Sequence, residues 1–135
     1  MATKVLDSWA LIAFLEDEPA AEQVEKLLAQ AAAEKHKLLL SVVNWGEIYY
    51  NTMREVSQEA AEQTTREIAA LPIDIVGVGD DLHIAKQAAI YKATHKMAYA
   101  DCFAAALAKM KNAELLTGDP EFKSLEKEIK INWLK

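Results

Sequence analysis

The sequence has 135 residues, with 21 Asp and Glu against 15 Lys and Arg, a formal charge of −6, 52% hydrophobic residues and a single cysteine. That length suits one domain, which removes about two-thirds of its unfolded surface from water, and its hydrophobic excess is mostly alanine, which favours helix over a greasy surface. The longest uncharged run, Leu38 to Gly46, is far below the roughly 20 residues that span a bilayer. Asp7 interrupts the N-terminus before a secretory h-region develops, so a cytoplasmic protein with no membrane segment is the expectation. Cys102 alone gives neither an internal disulfide nor a thiolate metal cage, and its alanine-rich surroundings read as a packed core thiol.

Lys4-Val5-Leu6 is a short apolar run broken by Asp7-Ser8, and Leu11, Ile12, Phe14 and Leu15 follow at helical spacing. The pattern predicts a strand and then a helix. Beyond Glu18-Pro19, the recurrence of Val24, Leu27 and Leu28 predicts a second helix reaching to near His36, with Pro19 in its first turn. Leu38-Leu39-Leu40, ending at Ser41, reads as a buried strand, and a helix from Val43 to Arg54 follows. On that helix Trp45, Tyr49, Tyr50 and Met53 read as a core stripe with a partly exposed edge that could serve a partner. Ser57 is placed to cap the next helix, which runs to Leu71 before Pro72.

Ile73, Ile75, Val76 and Val78, bounded by Pro72 and Gly79, predict a third strand, with Asp80 as N-cap of a helix to about Thr94. A helix from about Tyr99 to Lys111 precedes a strand over Glu114-Leu115-Leu116-Thr117, stopped by Gly118-Asp119-Pro120. The tail gives a short helix and a last strand around Ile129 to Asn132. Strands alternating with helices predict an α/β sandwich around a mostly parallel sheet. There is no internal repeat, low-complexity tract or linker.

In open parallel sheets ligands bind beyond the carboxyl ends of the strands, so acids there carry more weight than acids on helix faces. Asp7 ends the first strand, Glu47 lies in the first turns of the helix after the second, Asp119 follows the fourth, and Asp101 opens a different helix. Taken singly, each has an ordinary reading as an N-cap or as a charge favoured by a helix dipole. Taken together that reading weakens, because Glu47 and Asp101 sit among apolar neighbours where an unpaired carboxylate is costly. No Lys or Arg lies in these motifs to neutralise them. Clustered carboxylates without cationic side chains call for a metal ion, and all-oxygen ligation suits Mg²⁺ or Mn²⁺, one or two ions, rather than zinc. Such a site can polarise a phosphodiester and activate water.

The charge distribution adds to this. Between Leu82 and Ala113 the only acid is Asp101, against Lys86, Lys92, Lys96, Lys109 and Lys111. A solvated pair of helix faces would account for the lysines alone, but beside a phosphodiester site Lys86, Lys92, Lys96 and Lys109 are candidates to hold substrate phosphates. The acidic remainder argues against indiscriminate nucleic-acid coating.

Val-Leu-Asp7-Ser8, Asn44-Trp45-Gly46-Glu47, Tyr99-Ala100-Asp101 and Leu116-Thr117-Gly118-Asp119-Pro120-Glu121-Phe122 resemble, in order and across the whole chain, the successive motifs of PIN-domain ribonucleases. The length and the Glu-Pro after the first helix resemble the VapC toxins of prokaryotic toxin–antitoxin pairs. The resemblance implies a single PIN domain over residues 1–135, a three-layer sandwich with a sheet of about five strands. It also implies a Mg²⁺ or Mn²⁺ site at Asp7, Glu47, Asp101 and Asp119 that cuts RNA to 5′-phosphate and 3′-hydroxyl products. Ser8 and Thr117 match the polar positions beside the acids, and Asn44 shares the helix face of Glu47; all three are expected to bond the carboxylates or the substrate phosphate. Homodimerisation and inhibition by a VapB-type antitoxin laid across the acidic groove are further implications. Trp9 departs from the small hydroxyl residue that often follows the Asp-Ser pair.

Rivals within the fold class fail on motif. A phosphoacceptor receiver domain would show an adjacent acid pair after the first strand and a Lys-Pro dipeptide, and a haloacid-dehalogenase-type phosphatase would show Asp-x-Asp where this chain has Asp7-Ser8-Trp9. A catalytically silent PIN scaffold that binds RNA or protein remains the alternative. His36, His83 and His95 fall outside the acid motifs and read as surface or internally satisfied residues.

Overall fold

Side-chain alternation along the three central strands decides the architecture of the computed structural model, which describes residues 2–135. In β1 (Ala2–Leu6), β2 (His36–Ser41) and β4 (Glu114–Thr117), the residues Val5, Leu39 and Leu115 point to one face of the sheet. Leu6, Leu38, Leu40 and Leu116 point to the other. The register pairs Val5 with both Leu39 and Leu115, and Leu6 with both Leu40 and Leu116, so each face carries an unbroken apolar row. A strand buried on both faces reads as a continuous hydrophobic run, which is what Leu38-Leu39-Leu40 supplies.

β3 (Asp74–Val76) and β5 (Ile131–Trp133) complete a sheet in the order β3-β2-β1-β4-β5, and every pairing is parallel. One face is covered by α1 (Ser8–Leu15), α2 (Ala21–Ala32), α3 (Val42–Glu55) and α4 (Gln58–Ala69), which contribute Leu11, Val24, Leu28, Ile48 and Ile68. The other is covered by α5 (His83–Thr94), α6 (Tyr99–Met110) and a 3-10 turn over Pro120–Leu125. α6 is buried from Asp101 to Ala108, and its alanines let its backbone lie close to the sheet. Cys102 is buried there. On α5, Tyr91 is fully buried, and its hydroxyl has no partner among the described residues. No helix of the described residues is long and apolar enough to cross a membrane.

Several boundaries differ from the sequence reading, each for a local reason. Pro19 lies outside α2, in the turn before its cap at Ala20. That helix stops at Ala32, after which Glu34 takes a positive φ, and His36 opens β2 with its ring nitrogen 3.0 Å from the Leu27 carbonyl oxygen. Asp80 caps nothing. Leu82 is the cap position of α5 in the left-handed region, and Asp81 accepts the His83 N–H. β3 is three residues long and β5 begins two residues later than expected. Of the expected α3 stripe, Trp45 packs against the core while Tyr50 and Met53 are nearly half exposed, and the fully buried residues of α3 are Asn44 and Ile48. Trp45 stacks on Tyr49, and Arg54 lies over Tyr50. His83 and His95 face Asp81 and Glu128.

Candidate metal centre at the carboxyl ends of β1 and β4

The strand order reverses at β1 and β4, the one place in the sheet where successive connections leave in opposite directions and a crevice opens. Because Leu6 pairs with Leu116, the residues that follow, Asp7 and Thr117, face each other at the crevice floor. Asp7 has no exposed surface. Its Oδ1 accepts the Ala10 N–H at 2.9 Å, which caps α1, and its Oδ2 accepts the Thr117 hydroxyl at 2.5 Å. Its pKa is raised to about 7, chiefly by burial; those two hydrogen bonds oppose the shift, and the charges of Asp119 and Glu47 add to it.

Glu47 comes from the second turn of α3 and accepts a hydrogen bond from Ser8, the first residue of α1. Asn44, one turn earlier and fully buried, donates through Nδ2 to the Ala100 carbonyl at 3.1 Å. That bond ties α3 to the first turn of α6. Asn44 Oδ1 has no partner among the described residues.

Asp101 stands in that first turn of α6, where the helix dipole favours a negative charge. Its environment outweighs the dipole. Burial first, then the charges of Asp119, Asp7 and Glu47, then a hydrogen-bonding contact with the Glu121 carboxyl raise its pKa to about 8.

Asp119 leaves β4 through Thr117-Gly118. Its N–H donates to the Thr117 hydroxyl oxygen at 3.0 Å, and its Oδ1 accepts the Glu121 N–H at 3.0 Å, which starts the 3-10 turn. That capping brings Glu121 alongside. Asp101, Asp119 and Glu121 each offer an oxygen within 4.8 Å of the other two.

The structure therefore gathers the four acids singled out in the sequence into one electrostatic neighbourhood, but its tight triad exchanges Asp7 and Glu47 for Glu121. Glu121 was in the recognised motif and was passed over as a site residue. The available signal was Asp119-Pro120, a turn starter that returns the next side chain to the same side. Ser8 and Thr117 reach Glu47 and Asp7 respectively, whereas Asn44 reaches the α6 backbone and no acid. Among the described residues the four ion pairs all lie elsewhere, at Lys4–Glu114, Lys37–Asp74, His83–Asp81 and His95–Glu128. Among the described residues, none of these carboxylates has an ion-pair partner.

The lysines divide. Lys92 bonds the Met97 carbonyl oxygen at 2.7 Å, and its charge acts on the Cys102 thiol, which burial otherwise pushes up, so its ammonium stands beside the first turn of α6. Lys86 and Lys96 are exposed on α5 and on the α5–α6 connection. Lys109 is eight residues beyond Asp101 on α6, about 12 Å along the axis, and lines a separate cavity of about 810 Å³ with Lys127 and Lys130.

An all-oxygen donor set fits Mg²⁺ or Mn²⁺. Acids raised to about 7 and about 8, first by burial and then by one another's charge, are the state that a divalent cation would reverse.

The PIN domain family model matches residues 4–128. Among solved structures, the fold is similar to VapBC2 from Rickettsia felis bound to a DNA fragment from its promoter, with TM-score 0.73, 14% identity, and 98% of this chain and 99% of that chain covered. It is similar to VapBC-1 from nontypeable Haemophilus influenzae, with TM-score 0.70, 18% identity and 97% of each chain covered. It is also similar to VapC20 of Mycobacterium tuberculosis, a sarcin–ricin-loop-cleaving toxin, with TM-score 0.68, 16% identity, and 90% of this chain and 93% of that one covered. No curated protein matches the sequence significantly.

Proposed function

The chain belongs to the PIN domain family, and from that membership we propose that it is a metal-dependent endoribonuclease, the VapC-type toxin of a toxin–antitoxin pair. The observation that carries the reading is the carboxylate group at the β1/β4 crevice, built from Asp101, Asp119 and Glu121 over Asp7 and Glu47. A Mg²⁺ or Mn²⁺ ion bound by these acids would supply Lewis-acid activation of water and neutralise charge at the phosphodiester.

The rest is done by the chain. Thr117 and the Ala10 N–H hold Asp7 by both oxygens and favour its charged form, so it keeps one orientation at the crevice floor. Ser8 fixes the Glu47 carboxylate. Asn44 holds the first turn of α6, and with it Asp101, against α3. Lys92, Lys96 and Lys86, on the α5 side of Asp101, supply positive charge for the phosphates flanking the cut. The products are a 5′-phosphate and a 3′-hydroxyl. The likeness to VapBC structures supports a VapB-type antitoxin as partner, and a homodimer is the working form proposed with it.

The experiment is cleavage of total cellular RNA by antitoxin-free protein in Mg²⁺ or Mn²⁺, with an EDTA control and Asp101→Asn beside it. Discrete cuts abolished by both controls are expected. Equal behaviour of wild type and Asp101→Asn in both metals would leave a silent binding scaffold as the correct reading, and a 2′,3′-cyclic phosphate product would rule out this mechanism.

A further inference from the structure

Gly118 separates Thr117, which bonds Asp7, from Asp119. A Cβ placed on it would fall far inside van der Waals contact with Cη2, Cζ2 and Cζ3 of Trp9. The benzenoid edge of the indole therefore fills the space that any other side chain at 118 would need. Gly118 does not lie in the left-handed region, where Gly79 is the glycine found. What requires glycine at 118 is the ring, not the backbone.

Trp9 is the second residue of α1. It follows Ser8, which bonds Glu47, and Asp7, which caps the helix and accepts the Thr117 hydroxyl. The Asp7 N–H also reaches the Leu116 carbonyl at 3.5 Å. The first turn of α1 and the exit of β4 are thus joined at 7–116, 7–117 and 9–118. The first two contacts fix the strand end. Beyond it, the bonds of Asp119 lie inside its own turn, Asp119 N–H to Thr117, Glu121 N–H to Asp119 and Phe122 N–H to the Asp119 carbonyl. The far end of the turn is seated by Phe122, buried in the core that α6 joins, and by the contact of Glu121 with Asp101; the near end, at Gly118, is seated on the indole. The indole is half-buried against the apolar core beneath α1, so it does not move with the turn.

We infer that Trp9 is a positioning residue for the carboxylate centre: its ring, seated on Gly118, fixes the swing of the 117–121 turn and so the distance of Asp119 and Glu121 from Asp101. The inference rests on the metal-site reading above. Trp9 carries no charge, and it meets the turn at Gly118.

The test is Mn²⁺ affinity of the RNA-free protein, read by electron paramagnetic resonance of unbound Mn²⁺, with the melting temperature recorded for each variant. Trp9→Ala is expected to weaken binding by about tenfold or more, the usual consequence of losing a residue that orients ligands, while Trp9→Phe restores most of it. Gly118→Ala is expected to weaken binding in the wild-type background and to do so much less in Trp9→Ala, where the methyl group has room. That non-additivity is the mark of direct coupling. If Trp9→Ala lowered the melting temperature but bound Mn²⁺ as wild type does, Trp9 would be packing only and the inference would fail. Should Trp9→Ala not fold, Gly118→Ala and Trp9→Phe carry the same comparison. Wild type that binds no Mn²⁺ overturns the metal-site reading and this inference with it. Wild type that binds, with variants that bind equally, overturns this inference alone.

Discussion

Two buried acids set the pH behaviour of the metal-free protein. Asp7 and Asp101 have folded pKa values of about 7 and about 8 against an ordinary 3.8, so between those limits the folded state binds more protons than the unfolded one. Stability from these groups is therefore full below about pH 4 and is lost as pH rises through 7 and 8. In EDTA the protein should melt several degrees lower at pH 8.5 than at pH 5.5. Asp101→Asn should flatten that dependence and melt above wild type at pH 8.5, and an unchanged slope would contradict the raised pKa. Thr117→Val removes the hydroxyl from Asp7 and from the Asp119 N–H together, and should weaken Mn²⁺ binding by about 10- to 100-fold, measured by titration. Of the acids, Asp7 and Asp119 were legible because a strand end announces itself in Val-Leu-Asp and Leu-Leu-Thr-Gly-Asp. Glu121 was not, because its place depends on a 3-10 turn that periodicity does not register.

At the scale of elements, β4 was read to the residue and α3, α4 and α6 to within two, since each has a strong period or a capping side chain such as Ser57, which accepts the Ala60 N–H. The starts of α2 and α5 were misplaced, because neither has a side-chain cap. Lys109 was grouped with Asp101 by proximity in sequence, but eight residues of helix separate them. α6 lies against the sheet through residues with almost no side chain, so Ala104→Leu should destabilise by about 1–3 kcal/mol through overpacking, seen as an earlier urea midpoint. On α5 the opposite holds for Tyr91. Its buried hydroxyl has no partner among the described residues, and because an unmade bond is what makes a buried polar group costly, Tyr91→Phe should leave the melting temperature unchanged or raise it.

For the molecule as a whole, the proposed cation site would couple binding to folding. Mn²⁺ at about 100 times its Kd should add about 2.7 kcal/mol to stability. The gain should be greater at pH 8 than at pH 5.5, because protons compete for the same oxygens. Calorimetric melts with and without Mn²⁺ at both pH values would show it, and a gain independent of pH would point to an ion seated away from Asp7 and Asp101.

The outermost strands, β3 and β5, have three residues each. A rim that short offers a passing chain only one or two ladder bonds, too few to template a neighbour's strand. Copies of this chain therefore have little means of zipping together along their sheets. The proposed assembly would then fall to helix faces, where recognition is written in side chains and a single substitution can turn one partner away while admitting another.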